Sequence, residues 1–324
     1  MIEGAFCRLE GIRHIASRYD KSVGSCLSTV ALVTAIAFWL RSSLGPRFYL
    51  QDHIGGIEGK AVTTKSSVSW NWPALLMLLL IQLWSAHALV FFIHEYSHSF
   101  VAWMLGWKSN PLALHYPPFS ILVVLIQYGI NQNVNETPIF ASGHGIDAGL
   151  IAAAGPILGN GMITLGLSRL AYQAAIVRHR AGWALFAYWC TVASVGNFFD
   201  YIPIRTFTLV SDMGSVQRGF NCSPWMVLAV LGPPTLIAML WLFLSVLPQL
   251  LRQLFPASTP RQALVAVITV GAMFGFFGAA GLLEGGPVSY RLSMVSVSFI
   301  LPLMIVGVLV GVGRMRTPLA VNRV

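Results

Sequence analysis

The sequence has 324 residues, 56% hydrophobic and only 10% charged, with a net charge of +9 and a mean hydropathy of +0.71. A soluble domain carries about a quarter charged residues, so the composition excludes a water-soluble globular protein and places the chain in a bilayer. The basic residues are scattered between apolar runs with no basic stripe, which argues against nucleic acid and for lipid headgroups as partners of that charge. The four cysteines, Cys7, Cys26, Cys190 and Cys222, form no C-x-x-C and no regular framework, and read as packing residues.

In chain order, residues 1–21 are polar and mildly basic, and 23–40 is an apolar run that ends at Arg41 without a small-residue cleavage site. It reads as a signal anchor. Residues 45–71 form a loop with Pro46, Gly55, Gly56 and Gly59. The second span, 73–105, opens on Pro73, a favourable first-turn residue, and ends at Gly106. At 1.5 Å per residue it exceeds the roughly 30 Å of hydrocarbon and must tilt, kink or protrude. Residues 107–147 hold Pro111, Pro117, Pro118 and Pro138 around the short Ile-, Val- and Leu-rich run 119–130. Too short to cross as a helix, that run is expected to be a re-entrant or interfacial extended segment. His115 and His144 read as ordinary loop histidines.

The third span, 148–167, carries Ala152-Ala153-Ala154-Gly155-Pro156 and Gly159-Asn160-Gly161; small residues let membrane helices approach closely, and Asn160 should face the protein interior. A connector with Arg169, Arg178 and Arg180 leads to the fourth span, 182–199, which Pro203 helps to end. The remaining spans are 224–250, 263–283 and 292–312. The expected fold is an all-α polytopic membrane protein of about seven transmembrane helices. It divides into residues 1–72 (amino-terminal segment, anchor and loop), a core at 73–220, and three carboxy-terminal helices at 221–324. The basic first segment favours a cytoplasmic amino terminus, although counting Lys and Arg by loop gives no clean winner.

The chemistry-bearing stretch is His94-Glu95-Tyr96-Ser97-His98, at the far end of the second span. Residues four apart in a helix point the same way, so His94 and His98 present two imidazoles on one face. Glu95 lies within reach as a general base for a zinc-activated water. This is the H-E-x-x-H arrangement. Three ionisable residues within five positions of a membrane span are expensive and mark a functional site. A catalytic zinc takes a third protein ligand and leaves a position open. Because successive spans alternate in direction, Asn197, Asp200 and Asp212 come to the same face as the histidines, and a carboxylate from this stretch is the natural third ligand.

These residues resemble the site-2 protease family of intramembrane zinc metalloproteases, in its compact form without a PDZ domain. His94 to His98 with Ala102 and Leu105-Gly106 is similar to the family's H-E-x-x-H helix. Ala153-Ala154-Gly155-Pro156 with Asn160 is similar to its A-G-P helix, and Asn197, Ile202-Pro203 and Asp212 to Gly214 are similar to its third motif. The resemblance covers residues 73–220. It departs in the longer stretch between Asn197 and Asp212, and in Met213 where a glycine is usual.

The resemblance implies a zinc ion held by His94, His98 and Asp212, with Asp200 as the alternative third ligand. It further implies Glu95 as the catalytic base, and a bacterial inner membrane as the location. On this reading Asn160 and Asn197 contact the substrate, a membrane-embedded or juxtamembrane segment of another protein. The unwound segment would pair with the extended stretch 119–130. Two other readings stand beside the protease: a membrane scaffold or regulator whose metal site is structural or vestigial, and a transporter, suggested by broken helices and intramembrane polar groups. The oligomeric state is not legible.

Overall fold

The computed structural model describes residues 71–314, which are almost wholly helical. In chain order the helices are α1 (Trp72–Met104), α2 (Ile121–Ile126), α3 (Glu136–Ala141), α4 (Gly145–Val177), α5 (Ala181–Phe199), α6 (Asp212–Phe220), α7 (Pro224–Leu254), α8 (Thr259–Leu283) and α9 (Gly286–Gly313). Of these, α1, α4, α7, α8 and α9 are long and apolar enough to cross a membrane. The chain is a multi-pass membrane protein. The expected anchor at 23–40 lies outside the described residues. The expected span at 182–199 is the helix α5; its Trp183, Tyr188, Trp189 and Asn197 dilute its apolar character.

The ends of α1 follow from local chemistry. Asn71 accepts the Ala74 N–H at the start, with Pro73 in the first turn. At the other end Leu105 caps the helix and Gly106 takes φ +83°. Between them run 33 residues, roughly 50 Å of helix.

α5 is the central element. Tyr188 and Trp189 are fully buried in a cluster that also takes in Leu75 and Val90 of α1, Leu165 and Tyr172 of α4, Trp241 and Leu250 of α7 and Val265 of α8. Hydroxyls tie the helices across this apolar contact: Thr164 to Ser194 at 2.6 Å, Ser168 to Thr191 at 3.0 Å, and Tyr188 to Thr269 at 2.6 Å.

The stretch after α1 folds back along it. Ser99 donates to the Pro111 carbonyl at 2.6 Å, Trp84 Nε1 to the Val124 carbonyl at 3.0 Å, and His87 meets Gln127 at 2.9 Å. Since Trp84 precedes Ser99 by about four helical turns, the hairpin reaches deep alongside the span. Its tip corrects one expectation. Residues 121–126 form a helix, capped by Ser120 on the Val123 N–H and ended by Gln127 at φ +55°. With no neighbouring strand among the described residues, a helix satisfies those backbone groups internally. Extended pairing among the described residues is a single antiparallel bridge between His115 and Asn131. Lys108 secures both arms, its ammonium donating to the Ala113 carbonyl at 2.6 Å and to the Gln132 carbonyl.

Five π turns occur among the described residues; three lie in α7, α8 and α9, and two nearer His94, at Ala154–Thr164 within α4 and at Asp200–Ile204 beyond α5. Such turns concentrate at functional sites, and the latter two flank His94.

Candidate metal centre

The i, i+4 spacing of α1 brings His94 Nε2 to 3.0 Å from His98 Nε2. Asp212 Oδ2, from the first residue of α6, stands 3.2 Å from the former and 3.3 Å from the latter. A tetrahedral zinc with nitrogen and oxygen ligands has ligand-to-ligand edges of roughly 3.3 Å, so the triangle has the size that such an ion requires. The imidazoles are almost completely enclosed, at 2% and 1% exposure, whereas the Asp212 side chain is 20% exposed. The carboxylate is therefore the least enclosed corner.

The outer nitrogens of both rings are also engaged. His98 Nδ1–H donates to the Ile151 carbonyl of α4 at 2.6 Å, which leaves the Nε2 lone pair directed into the triangle. The Asn160 amide nitrogen stands 3.0 Å from His94 Nδ1, while Asn160 Oδ1 has no hydrogen-bond partner. Turning the amide over would let Oδ1 accept from Nδ1–H and leave the His94 Nε2 lone pair for a ligand role. Partners of this kind fix the tautomer and orientation of a metal-binding histidine. Tyr201 stacks on His94 at 4.8 Å between ring centroids and 21° between planes.

The small residues of α4 have a specific task here. A Cβ built on Gly155 would come within 2.2 Å of His98 Nε2 and 2.6 Å of His94 Nε2. Only a glycine leaves room for the two nitrogens and for anything they hold. Gly214 has a comparable role in the turn that delivers Asp212, since a Cβ there would lie 2.3 Å from the Leu209 carbonyl oxygen. Met213, where the resemblance expects glycine, is fully buried with Ile157, Ile202 and Phe220; it serves packing while Gly214 serves the close approach.

Glu95 is buried beside the triangle, with the backbone N–H of Gln132 facing its carboxylate and its Oε2 without a hydrogen-bond partner. Two carboxylates and two imidazoles packed among apolar helices form a donor set that a dication compensates. The residues fit a zinc ion on three counts: the triangle's edges, the His98 lone pair directed inward, and the space kept by Gly155.

The chain matches no family model, no curated protein and no solved structure. The geometry therefore stands by itself.

Of the residues singled out from sequence, His94, His98 and Asp212 form the one group of potential metal ligands found among the described residues. Asp200 faces Arg205 at 3.9 Å, outside the triangle. Asn160 is fully buried and lies across the imidazole from Asp212, behind His94, where its amide supports the ring and does not face open space. Asn197 returns its amide to the Ala193 carbonyl of its own helix at 2.9 Å. Sequence reasoning did not find Tyr201, Gly155 in its particular role, or the Ile151 carbonyl. An aromatic residue and a glycine in apolar spans give no signal until the helices are packed, and a backbone carbonyl gives none at all.

Proposed function

We propose that this chain is an intramembrane zinc metalloprotease of the site-2 type. It would cleave a membrane-embedded or juxtamembrane segment of another protein, in a bacterial inner membrane. Seven spans belong to this reading: the five apolar helices, α5, and residues 23–40. The observation that carries it is the triangle of His94, His98 and Asp212 with the buried Glu95 carboxylate beside it.

The division of labour follows from the positions. His94, His98 and Asp212 would hold the ion, which when bound supplies Lewis-acid activation of water and polarisation of a peptide carbonyl. Glu95 takes a proton from the attacking water through Oε2 and passes it to the leaving nitrogen. Asn160 and the Ile151 carbonyl keep the two imidazoles in the tautomer the ligand role needs. The enclosed histidines and the more exposed Asp212 favour approach of the scissile bond from the Asp212 side. The hairpin's helical tip cannot add a strand to an unwound substrate, so edge pairing would fall to its arms near His115 and Asn131.

The test combines the zinc content of protein purified in detergent with cleavage measured in cells. Wild type should hold one zinc per chain. Glu95→Gln should keep the zinc and lose the cleavage of membrane-protein segments seen when cells expressing wild type and variant are compared by mapping new peptide termini. An equally active Glu95→Gln would remove the assignment, and a zinc-bearing wild type that generates no new termini would favour the scaffold.

A further inference from the structure

Away from the triangle, α1, α4 and α5 enclose an open groove of about 560 Å³, within the range of small-molecule sites. Leu89, Val90 and Ile93 of α1, Leu167 and Ala171 of α4, and Phe186 of α5 form its walls; Arg178, Arg180 and Trp183 stand at its mouth. The groove also meets Thr164 and Ser168, but both hydroxyls are already used, by Ser194 and the Asn160 carbonyl and by Thr191 and the Leu165 carbonyl. The walls thus offer no unsatisfied polar group, and suit a hydrocarbon better than a peptide backbone.

The depth of the groove is set by one hydrogen bond. Gln82 of α1 donates to the Gly182 carbonyl at 3.1 Å, which levels the mouth with Gln82. Ile93, at the inner end, lies eleven residues further along α1, about 16 Å. That is half the hydrocarbon thickness, the reach of an acyl chain from one leaflet. Trp183, largely exposed at the mouth, is the residue type that settles at the headgroup level. Among the described residues the charge at this end is of a single sign. Arg178 and Arg180 form no ion pair with a described residue, and the bond from Tyr172 to Gln253 brings the end of α7, with Arg252, to the same face. No Asp or Glu occurs in residues 165–199 or 224–283. A zwitterionic headgroup would find nothing for its ammonium here, whereas a phosphate would find two guanidiniums.

We infer that this groove is a binding site for one anionic phospholipid, with an acyl chain between α1, α4 and α5 and the phosphate on Arg178 and Arg180. The site is independent of the protease reading. The test is native mass spectrometry of the delipidated full-length protein, offered phosphatidylglycerol or phosphatidylcholine with the same acyl chains. Wild type should retain one phosphatidylglycerol in preference to phosphatidylcholine. Arg178→Gln/Arg180→Gln, both at exposed positions, should lower phosphatidylglycerol retention on the order of tenfold, to the level of phosphatidylcholine. Ala171→Trp should fill the groove and exclude both lipids although the arginines remain. Equal retention of the two lipids by wild type would overturn the inference. So would undiminished phosphatidylglycerol retention in either variant, or a hydrophobic transmembrane peptide occupying the groove in preference to lipid.

Discussion

His94 and His98 come from one continuous helix and are each held from behind, by Asn160 and by the Ile151 carbonyl of α4. Asp212 arrives differently, at the end of a link of π and 3₁₀ turns after α5, and its supports come from the other half of the molecule. Ser211 accepts the Gly214 N–H and donates to the Thr208 carbonyl at 2.8 Å. Thr208 in turn meets the Gly285 carbonyl and the Ser289 hydroxyl, each at 3.1 Å. The carboxy-terminal helices thus buttress Asp212. Two corners of the triangle are local constructions braced by a neighbouring helix, and the third is assembled from distant parts.

The comparison predicts a graded series of losses. Gly155→Val puts atoms where the His94 and His98 nitrogens meet and should eliminate zinc binding, measured as metal per folded chain; a variant with full zinc would refute the cradle. Asp212→Ala should weaken zinc by more than the 10- to 100-fold typical of outer partners, while Asp200→Ala, at a carboxylate that faces Arg205 outside the triangle, should leave zinc content unchanged. The reverse result would exchange the two carboxylates. Asn160→Leu keeps all three ligands but loses the partner of His94 Nδ1, and should weaken zinc about 10- to 100-fold in a chelator competition. Thr208→Val should have the smallest effect, since it deletes two hydrogen bonds worth about 1 kcal/mol each and acts on Asp212 only through the link. A several-fold rise in the rate of zinc loss is expected, and an unchanged rate would mean that α6 positions Asp212 by packing alone.

The same contrast explains what could be read from the sequence. The His94, Glu95 and His98 arrangement was legible because helical spacing encodes their geometry within five residues. The alternation of spans brought Asp200 and Asp212 to the right face, but could not choose between them, because that choice depends on how π and 3₁₀ turns rotate the link. Asn160 was legible as an inward-facing amide; its pairing with His94 depends on helix packing. The hairpin after α1 could be inferred from a run too short to cross. Its helical tip could not, since Ile and Val favour strands by propensity, and among the described residues no strand lies beside them to pair with.

The buttress from Gly285 and Ser289 also bears on biosynthesis. During translation both histidines and Asp212 leave the ribosome well before residue 285, so the nascent chain holds every ligand while the link still lacks its support. A product that stops before α9 would carry the complete motif and hold metal poorly. The residues of the triangle are thus all made before the Gly285 and Ser289 contacts that brace the link to Asp212.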